Sequence, residues 1–228
     1  MNSLCVICAR TGSKGLKNKN FLKIKGKTLI EHTIKMALKS KIFKNIVISI
    51  DKQNINLKSF KSKVIFIERP KKLAQNNSKK IDAIRHAVKF CETKTKLYYD
   101  YIFDLDVTSP LRNYKDIRKS FKKFKKNKSN NLISVTPSKK NPYFNMVEVK
   151  NKKVDLIKKT KKIINNRQKA PKTFDMNASI YIWRKEYLFR SYNLFDKKTS
   201  IYVMPPERSI DIDTDFDFRL VKHLFKTK

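Results

Sequence analysis

Glycine is scarce in this sequence: three occur in 228 residues. A collagen repeat is therefore excluded. So is the Rossmann fingerprint G-x-G-x-x-G, and no Gly-Lys-Ser/Thr of a Walker loop occurs at the required spacing. Cysteine is as sparse. Three cysteines, an odd number in a long chain, make no disulfide framework. No apolar run approaches the roughly 20 residues that cross a bilayer. The first apolar stretch, in MNSLCVICAR, is too short and too soon charged for a signal peptide. A cytoplasmic location is expected, with no membrane partner. No sustained heptad pattern suggests a coiled coil. Acidic residues are the last shortage: 19 Asp+Glu face 55 Lys+Arg, a formal net charge of +36.

Hydrophobic residues make up 40% of the chain and charged residues 32%, enough for one domain with a real core. Such a positive charge raises the possibility of nucleic-acid binding. However, only ten of the 55 cations are Arg, and the Lys comes with abundant Asn and Ile, as an AT-rich genome produces. Lys is spread over every predicted surface. The aromatics sit in strand-like runs such as YYDYIFDL and SIYIW instead of alternating with cations on a binding face. The expectation is a compositional charge and no nucleic-acid partner.

Short apolar runs alternate with amphipathic stretches. Strands are predicted at 4–9, 45–51, 63–70, 101–107, 131–137, 179–183 and 201–204. Between them, Leu29, Ile30, Ile34, Ala37 and Leu38 recur at helical spacing. Ile81, Ile84, Val88 and Cys91 do the same, as do Ile117, Phe121 and Phe124. A last helix is predicted in DFDFRLVKHLF. This alternation predicts an α/β domain over 1–228, a mainly parallel sheet with helices on both faces. Ligands bind such sheets beyond the carboxyl ends of the strands, so the loops after residues 9, 51, 69, 106 and 136 are candidate site loops. From 138 to 178 the pattern degrades into polar and basic text, predicting an insertion: a flap, a hairpin or an oligomer contact.

Two segments carry chemistry. In Ala9-Arg10-Thr11-Gly12-Ser13-Lys14-Gly15, with Lys17, Lys19 and Asn20, two of the three glycines allow backbone N–H groups to converge on an anion, and the cations suit phosphate. In Asp211-Ile212-Asp213, residues two apart in extended chain point to one side. Two carboxylates there repel unless a cation lies between them, and Mg²⁺ suits such oxygen ligands. The blander role for Asp213 or Thr214 is to cap the helix starting near Asp215. Asp104-Leu105-Asp106 has the same geometry at a strand end, and matches the Asp-x-Asp of nucleotide-sugar glycosyltransferases. Cys5 and Cys8 form C-x-x-C on paper. On a strand they face opposite ways, so core packing is expected. His32, His86 and His223 lie in predicted helices without partner motifs and are expected to pack or face solvent.

Taken together, ICARTGSKGLKNKN, ERP at 68–70, LDVTSPLR at 105–112, MNASIYI at 176–182 and SIDIDTDFDF at 209–218 resemble the acylneuraminate cytidylyltransferases, the CMP-sialic acid synthetases. The blocks occur in that family's order over almost the whole chain. The resemblance implies a three-layer Rossmann-like nucleotidyltransferase fold with a dimerisation extension within 138–178, and hence a homodimer. It implies transfer of CMP from CTP to the anomeric hydroxyl of an acidic nine-carbon keto sugar, with release of pyrophosphate. Arg10, Ser13, Lys14, Lys19, Asn20 and Arg69 fall at nucleotide-binding positions. Asp211 and Asp213 match the paired Mg²⁺ ligands. Arg10 and Lys19 would hold the leaving pyrophosphate, while the general base is left open between Asp213 and a metal-bound water. Arg167 matches an arginine for the sugar carboxylate, and Asp106 and Asn177 fall in blocks around the sugar.

The text departs from the sialic acid enzymes around that sugar. Asp106 and Val107 replace Gln and Pro, Asp175 stands where a second substrate arginine is common, Ser179 lies within its block, and Asn141-Pro142-Tyr143-Phe144-Asn145 differs. The departures resemble the bacterial branch that activates legionaminic acid. Another acidic-sugar cytidylyltransferase, an Asp-x-Asp glycosyltransferase and a basic nucleic-acid-binding protein are the competing expectations.

Overall fold

The continuous apolar runs become the middle of one sheet. The computed structural model describes all residues except 13–15, 17, 52–56, 161–163, 165 and 227–228. Strand β1 (Ser3–Ala9) is buried along its whole length. A small hairpin of β2 (Lys23–Ile24) and β3 (Lys27–Thr28) follows, turning through Lys25 and Gly26, both at positive φ. A tight hairpin turn needs that backbone, which accounts for the third glycine. Helix α1 (Leu29–Ser40) opens on a capping box between Thr28 and Glu31. The chain continues through β4 (Asn45–Ile50), β5 (Ile65–Glu68), α2 (Lys80–Thr95), β6 (Tyr101–Leu105), α3 (Tyr114–Lys126) and β7 (Asn131–Pro137). It ends with the hairpin β8 (Val147–Lys150) and β9 (Lys153–Leu156), then β10 (Phe174–Arg184), α4 (Lys185–Arg190), β11 (Thr199–Val203) and α5 (Asp215–Lys226).

The seven-stranded sheet has the order β11-β7-β10-β6-β1-β4-β5. Its pairs are parallel except the two made by β10. Helices cover both faces. Cys5, Ile7 and Phe103 pack with α1, α3 and α5 residues on one side, and Leu4, Val6, Cys8 and Ile102 with α2 and α4 residues on the other. Cys5 and Cys8 thus lie on opposite faces as free buried thiols. Among the described residues no helix is long and apolar enough to cross a membrane.

The β2–β3 hairpin, helix α4 and the shape of β10 go beyond the expected elements, and the expected insertion takes one of its forms. Helix α4 is too short to show a periodicity. Strand β10 begins at Phe174, five residues earlier than its apolar run, and its register with β7 shifts between Met176 and Tyr181. Ala178, inside this bulge, has φ 50°. Within 138–178 the insertion is a hairpin, with Val147 opposite Leu156 and Val149 opposite Val154.

One buried carboxylate holds the frame of the site. Asp116 caps α3 with Asn113 and accepts from Arg208 Nε at 3.0 Å, Arg208 NH2 at 2.9 Å and Tyr202 OH at 3.2 Å. It therefore ties α3 to the loop leading into Asp211-Ile212-Asp213. Asp116→Ala removes half of the capping box and leaves Arg208 with only the exposed Glu207, at 3.5 Å, and we expect a loss of about 3 kcal/mol. Urea unfolding checks this; a loss below about 1 kcal/mol, the scale of an exposed ion pair, would contradict it.

Candidate active site

The carboxyl ends of β1, β5 and β6 meet the segment preceding α5 around a cleft of about 480 Å³. It is lined by Arg10, Lys19, Asn20, Arg69, Lys80, Asp106, Thr108, Asp211 and Asp213, with Cys8, Leu73, Gln75, Asn76 and Ser78. This is the position that the reversal of strand order on either side of β1 predicts. Backbone and side-chain bonds fix its walls. Asn20 Nδ2 donates to the Arg10 carbonyl at 2.9 Å, and Arg10 NH1 to the Gln75 carbonyl at 3.2 Å. Arg69 is buried and pinned on Ser49, donating from Nε to the hydroxyl at 3.1 Å and from NH2 to the carbonyl at 2.8 Å. The Thr11 amide and hydroxyl both reach Asp51 at the end of β4.

The acidic segment is anchored by the Ile212 amide, which donates to the Thr108 carbonyl at 2.9 Å, and by the fully buried Ile212 side chain. With Ile212 inward, Asp211 and Asp213 both line the cleft. Asp213 is 69% exposed and paired with Lys19 at 2.8 Å, so the first loop and the acidic segment clasp across the cleft. Asp211 differs. Its Oδ1 is buried and has no hydrogen-bond partner. Burial, then Asp106 and Asp213, push its carboxyl up to about 6.

The other acidic pair is already compensated. Lys80 Nζ lies 2.6 Å from Asp104 Oδ2 and 2.7 Å from Asp106 Oδ2. Burial disfavours charge on all three groups. The two carboxylates outweigh it for Lys80, which is held well above the usual ammonium range. Asp106, against the same burial, is held at about 2 by Lys80 and by the amide and hydroxyl of Thr108. For Asp104 burial prevails and its carboxyl is pushed up. A protein cation thus sits where the glycosyltransferase expectation requires a metal. That leaves Asp211 as the cleft carboxylate with an unspent oxygen.

Ser13 and Lys14 lie outside the described residues. Arg10, Lys19, Asn20, Arg69, Asp106, Asp211 and Asp213 converge on the cleft. Arg167 and Asn177 do not. Arg167 donates to the Ser138 carbonyl at 2.9 Å in the inserted segment. Asn177 is buried, bonding Ser134 at 2.6 Å and Ser209 at 2.9 Å, and acts as an internal strut between strands. Lys80, Thr108, Gln75, Asn76 and Ser78 went unnoticed in the sequence. One signal was available for Lys80: a lysine in the first turn of α2 opposes the helix dipole, and such a local violation points to a stronger partner. His32 packs, with Nε2 2.9 Å from the Ile24 carbonyl.

A family model described as Cytidylyltransferase matches residues 4–225. The chain belongs to the cytidylyltransferase family. It is accordingly a nucleotidyltransferase that uses CTP. Among curated relatives, this cytidylyltransferase is 41% identical over 226 residues to the CMP-N,N'-diacetyllegionaminic acid synthase of Campylobacter jejuni, covering 99% of this chain and 95% of that protein. It is equally similar, over the same shares, to post-translational flagellin modification protein B of Campylobacter coli. The N-acylneuraminate cytidylyltransferase of Streptococcus agalactiae is 30% identical over 99% of this chain and 54% of its own length. Among solved structures, CMP:2-keto-3-deoxy-manno-octonic acid synthetase complexed with CTP matches with TM-score 0.70 at 16% identity, over 100% of this chain and 99% of that one. It supports the fold, the expected Rossmann-like nucleotidyltransferase architecture.

The residues of the cytidylyltransferase fit a magnesium ion. Among the described residues no three His, Cys, Asp or Glu cluster as a closed metal cage. Two carboxylates on one cleft, one with a buried unspent oxygen, instead suit a cation that completes its shell with phosphate and water.

The raised Asp211 gives a prediction for the metal-free protein. A carboxyl whose folded pKa lies above its unfolded value stabilises the fold relatively below about pH 4, and this contribution is lost as pH rises towards 6. In chelator at pH 7.5, Asp211→Asn should therefore be more stable than wild type by ~1–3 kcal/mol. The difference should shrink towards zero at pH 4. Thermal melts at the two pH values test it; a destabilised variant at pH 7.5 would contradict the assignment.

Proposed function

We propose that this chain couples CTP to the anomeric hydroxyl of a legionaminic-type acid, a nine-carbon 2-keto sugar, giving the CMP-sugar and pyrophosphate. The observation that carries the site assignment is Asp211, whose buried Oδ1 has no hydrogen-bond partner, in a cleft otherwise rich in cations. The substrate class rests on the similarity to the Campylobacter jejuni synthase and on the departures at Asp106, Asp175 and Phe144.

In this reading Arg10 and Lys19 hold the triphosphate, joined by Ser13 and Lys14 of the same loop, with charge-assisted bonds. Arg69 and Asn20, held rigid by Ser49 and the Arg10 carbonyl, line the nucleotide side. Asp211 and Asp213 would hold Mg²⁺, with Lys19 leaving Asp213 for phosphate as the nucleotide enters. Magnesium, when bound, would neutralise phosphate charge and stabilise charge developing on the leaving pyrophosphate. The protein's share is positioning: the sugar hydroxyl must meet the α-phosphorus in line with the pyrophosphate. Asp106 faces the sugar. Asn177 acts behind that wall, its carbonyl accepting from the Ser109 hydroxyl at 3.1 Å.

The chain is further proposed to work as a homodimer. Val147, Val149 and Val154 are exposed on one face of the β8–β9 hairpin, with Leu156 beside them, while Glu148, Lys150, Lys153 and Asp155 alternate on the other. A lone two-stranded hairpin with one apolar face is marginal in water, and a second copy is the cover that fits.

Three measurements test these statements. Pyrophosphate release should be strong with CTP and weak with UTP, and in competition N,N'-diacetyllegionaminic acid should be used ahead of N-acetylneuraminic acid. Equal rates with UTP, or preference for N-acetylneuraminic acid, would overturn the nucleotide or the sugar assignment respectively. Light scattering should give a dimer that Val149→Asp/Val154→Asp converts to a monomer; a monomeric wild type at working concentration would contradict the assembly.

A further inference from the structure

Behind the nucleotide cleft lies a second cavity of about 500 Å³. Ile81, Ile84, Ala178, Tyr181, Trp183 and Tyr192 are among the residues that wall it, and it shares Lys80 and Asp106 with the cleft. Tyr181 and Trp183 stack with ring centroids 5.6 Å apart. The two cavities differ sharply in character. Arg10, Lys19 and Arg69 face the first, mainly aromatic and aliphatic side chains with Lys79 the second, and the Lys80–Asp106 pair is the partition.

The hydrogen bonds of that partition are nearly all accounted for. Asp106 Oδ1 accepts from the Thr108 amide at 3.2 Å and its hydroxyl at 3.0 Å, and Oδ2 accepts from Lys80 at 2.7 Å. A carboxylate offers about four acceptor positions, so one remains on Oδ2. Lys80 has also tied up Oδ2 of Asp104, which is 1% exposed, leaving its Oδ1 buried and unpartnered. Without the ammonium, two carboxylates two residues apart on one strand would face each other with no cation between them. Asp106 would then be free to turn or to take up a proton.

We propose that Lys80 is a positioning residue: by bridging Asp104 and Asp106 it fixes the Asp106 carboxylate as an ionised acceptor, and the pair selects an acidic sugar that presents an N–H or O–H donor at the partition. The same charge pattern orients the sugar. Its carboxylate is drawn to the cations of the cleft, while an acyl group carrying the donor enters the aromatic chamber. This assignment rests on the cytidylyltransferase reading above and adds to it the group that reads the sugar.

The test is a double-mutant cycle on sugar and nucleotide KM. Lys80→Met and Asp106→Asn should each raise the KM for the sugar at least tenfold and leave the KM for CTP within about twofold. The double variant should be no worse than either single one, because the two act as a unit. A purely structural lysine would move both KM values or only the melting temperature. If Lys80→Met does not fold, Lys80→Met/Asp104→Asn removes the cation together with one carboxylate, and the same KM split is expected of it. An unchanged sugar KM, or single effects that multiply in the double variant, overturns the role of Lys80 while pyrophosphate release by the wild type upholds the activity. Absence of that release with CTP and every acid tried overturns both.

Discussion

Carboxylates gathered at one end of a parallel sheet repel one another unless each meets a cation or keeps a proton. Here Asp104, Asp106, Asp211 and Asp213 are brought together by strand β6, the loop after it and the segment clamped to that loop through Ile212 and Thr108. Much of the site follows from how each is compensated. Lys80 serves the first two, and Lys19 serves Asp213 from across the cleft. Asp211 forms no ion pair among the described residues, the charge of Lys19 only partly offsets its burial, and its buried Oδ1 has no hydrogen-bond partner. In a chain of formal charge +36 this is not for want of lysine. The site leaves one negative position open in a place lined by cations, an arrangement suited to a metal arriving with a polyanion.

The same pattern separates the two acidic motifs, which look alike in the sequence. Asp104-Leu105-Asp106 and Asp211-Ile212-Asp213 share spacing and extended backbone. They differ in what lies opposite: a lysine at the start of α2 for one, the mouth of the cleft for the other. The first is thus bridged by a lysine, while the second keeps a buried oxygen without a partner. The excess of lysine elsewhere does not organise into one site. It is distributed over both helical faces, and the cations that matter are those tied down, Arg10 on Gln75, Arg69 on Ser49 and Lys19 on Asp213.

Much of the fold was legible because strands buried on both faces must be continuously apolar. LCVICA, NIVISI and YIFDL could hardly have been anything else, and their loops fell where a doubly covered sheet places ligands. The conformation of β10 was not legible. Its first residues, Phe174 to Met176, are exposed, and a bulge at Ala178 interrupts the alternation that marks a strand. Within the site, Arg10, Lys19, Asn20, Arg69, Asp211 and Asp213 stood out through their motifs. Lys80 did not, because its role depends on a contact between residues 24 and 26 positions apart on different elements. Arg167 and Asn177 were drawn to the sugar by resemblance, yet local bonding holds one on Ser138 and the other inside the sheet.

The central claim is that Asp211, and not the Asp104–Asp106 pair, receives the metal. Titration of Mn²⁺ by electron paramagnetic resonance, with CTP present, measures this directly and independently of turnover. Wild type and Asp104→Asn should bind the ion with similar affinity, and Asp211→Asn should weaken binding at least tenfold. Retention of Mn²⁺ by Asp211→Asn together with its loss in Asp104→Asn would contradict the account.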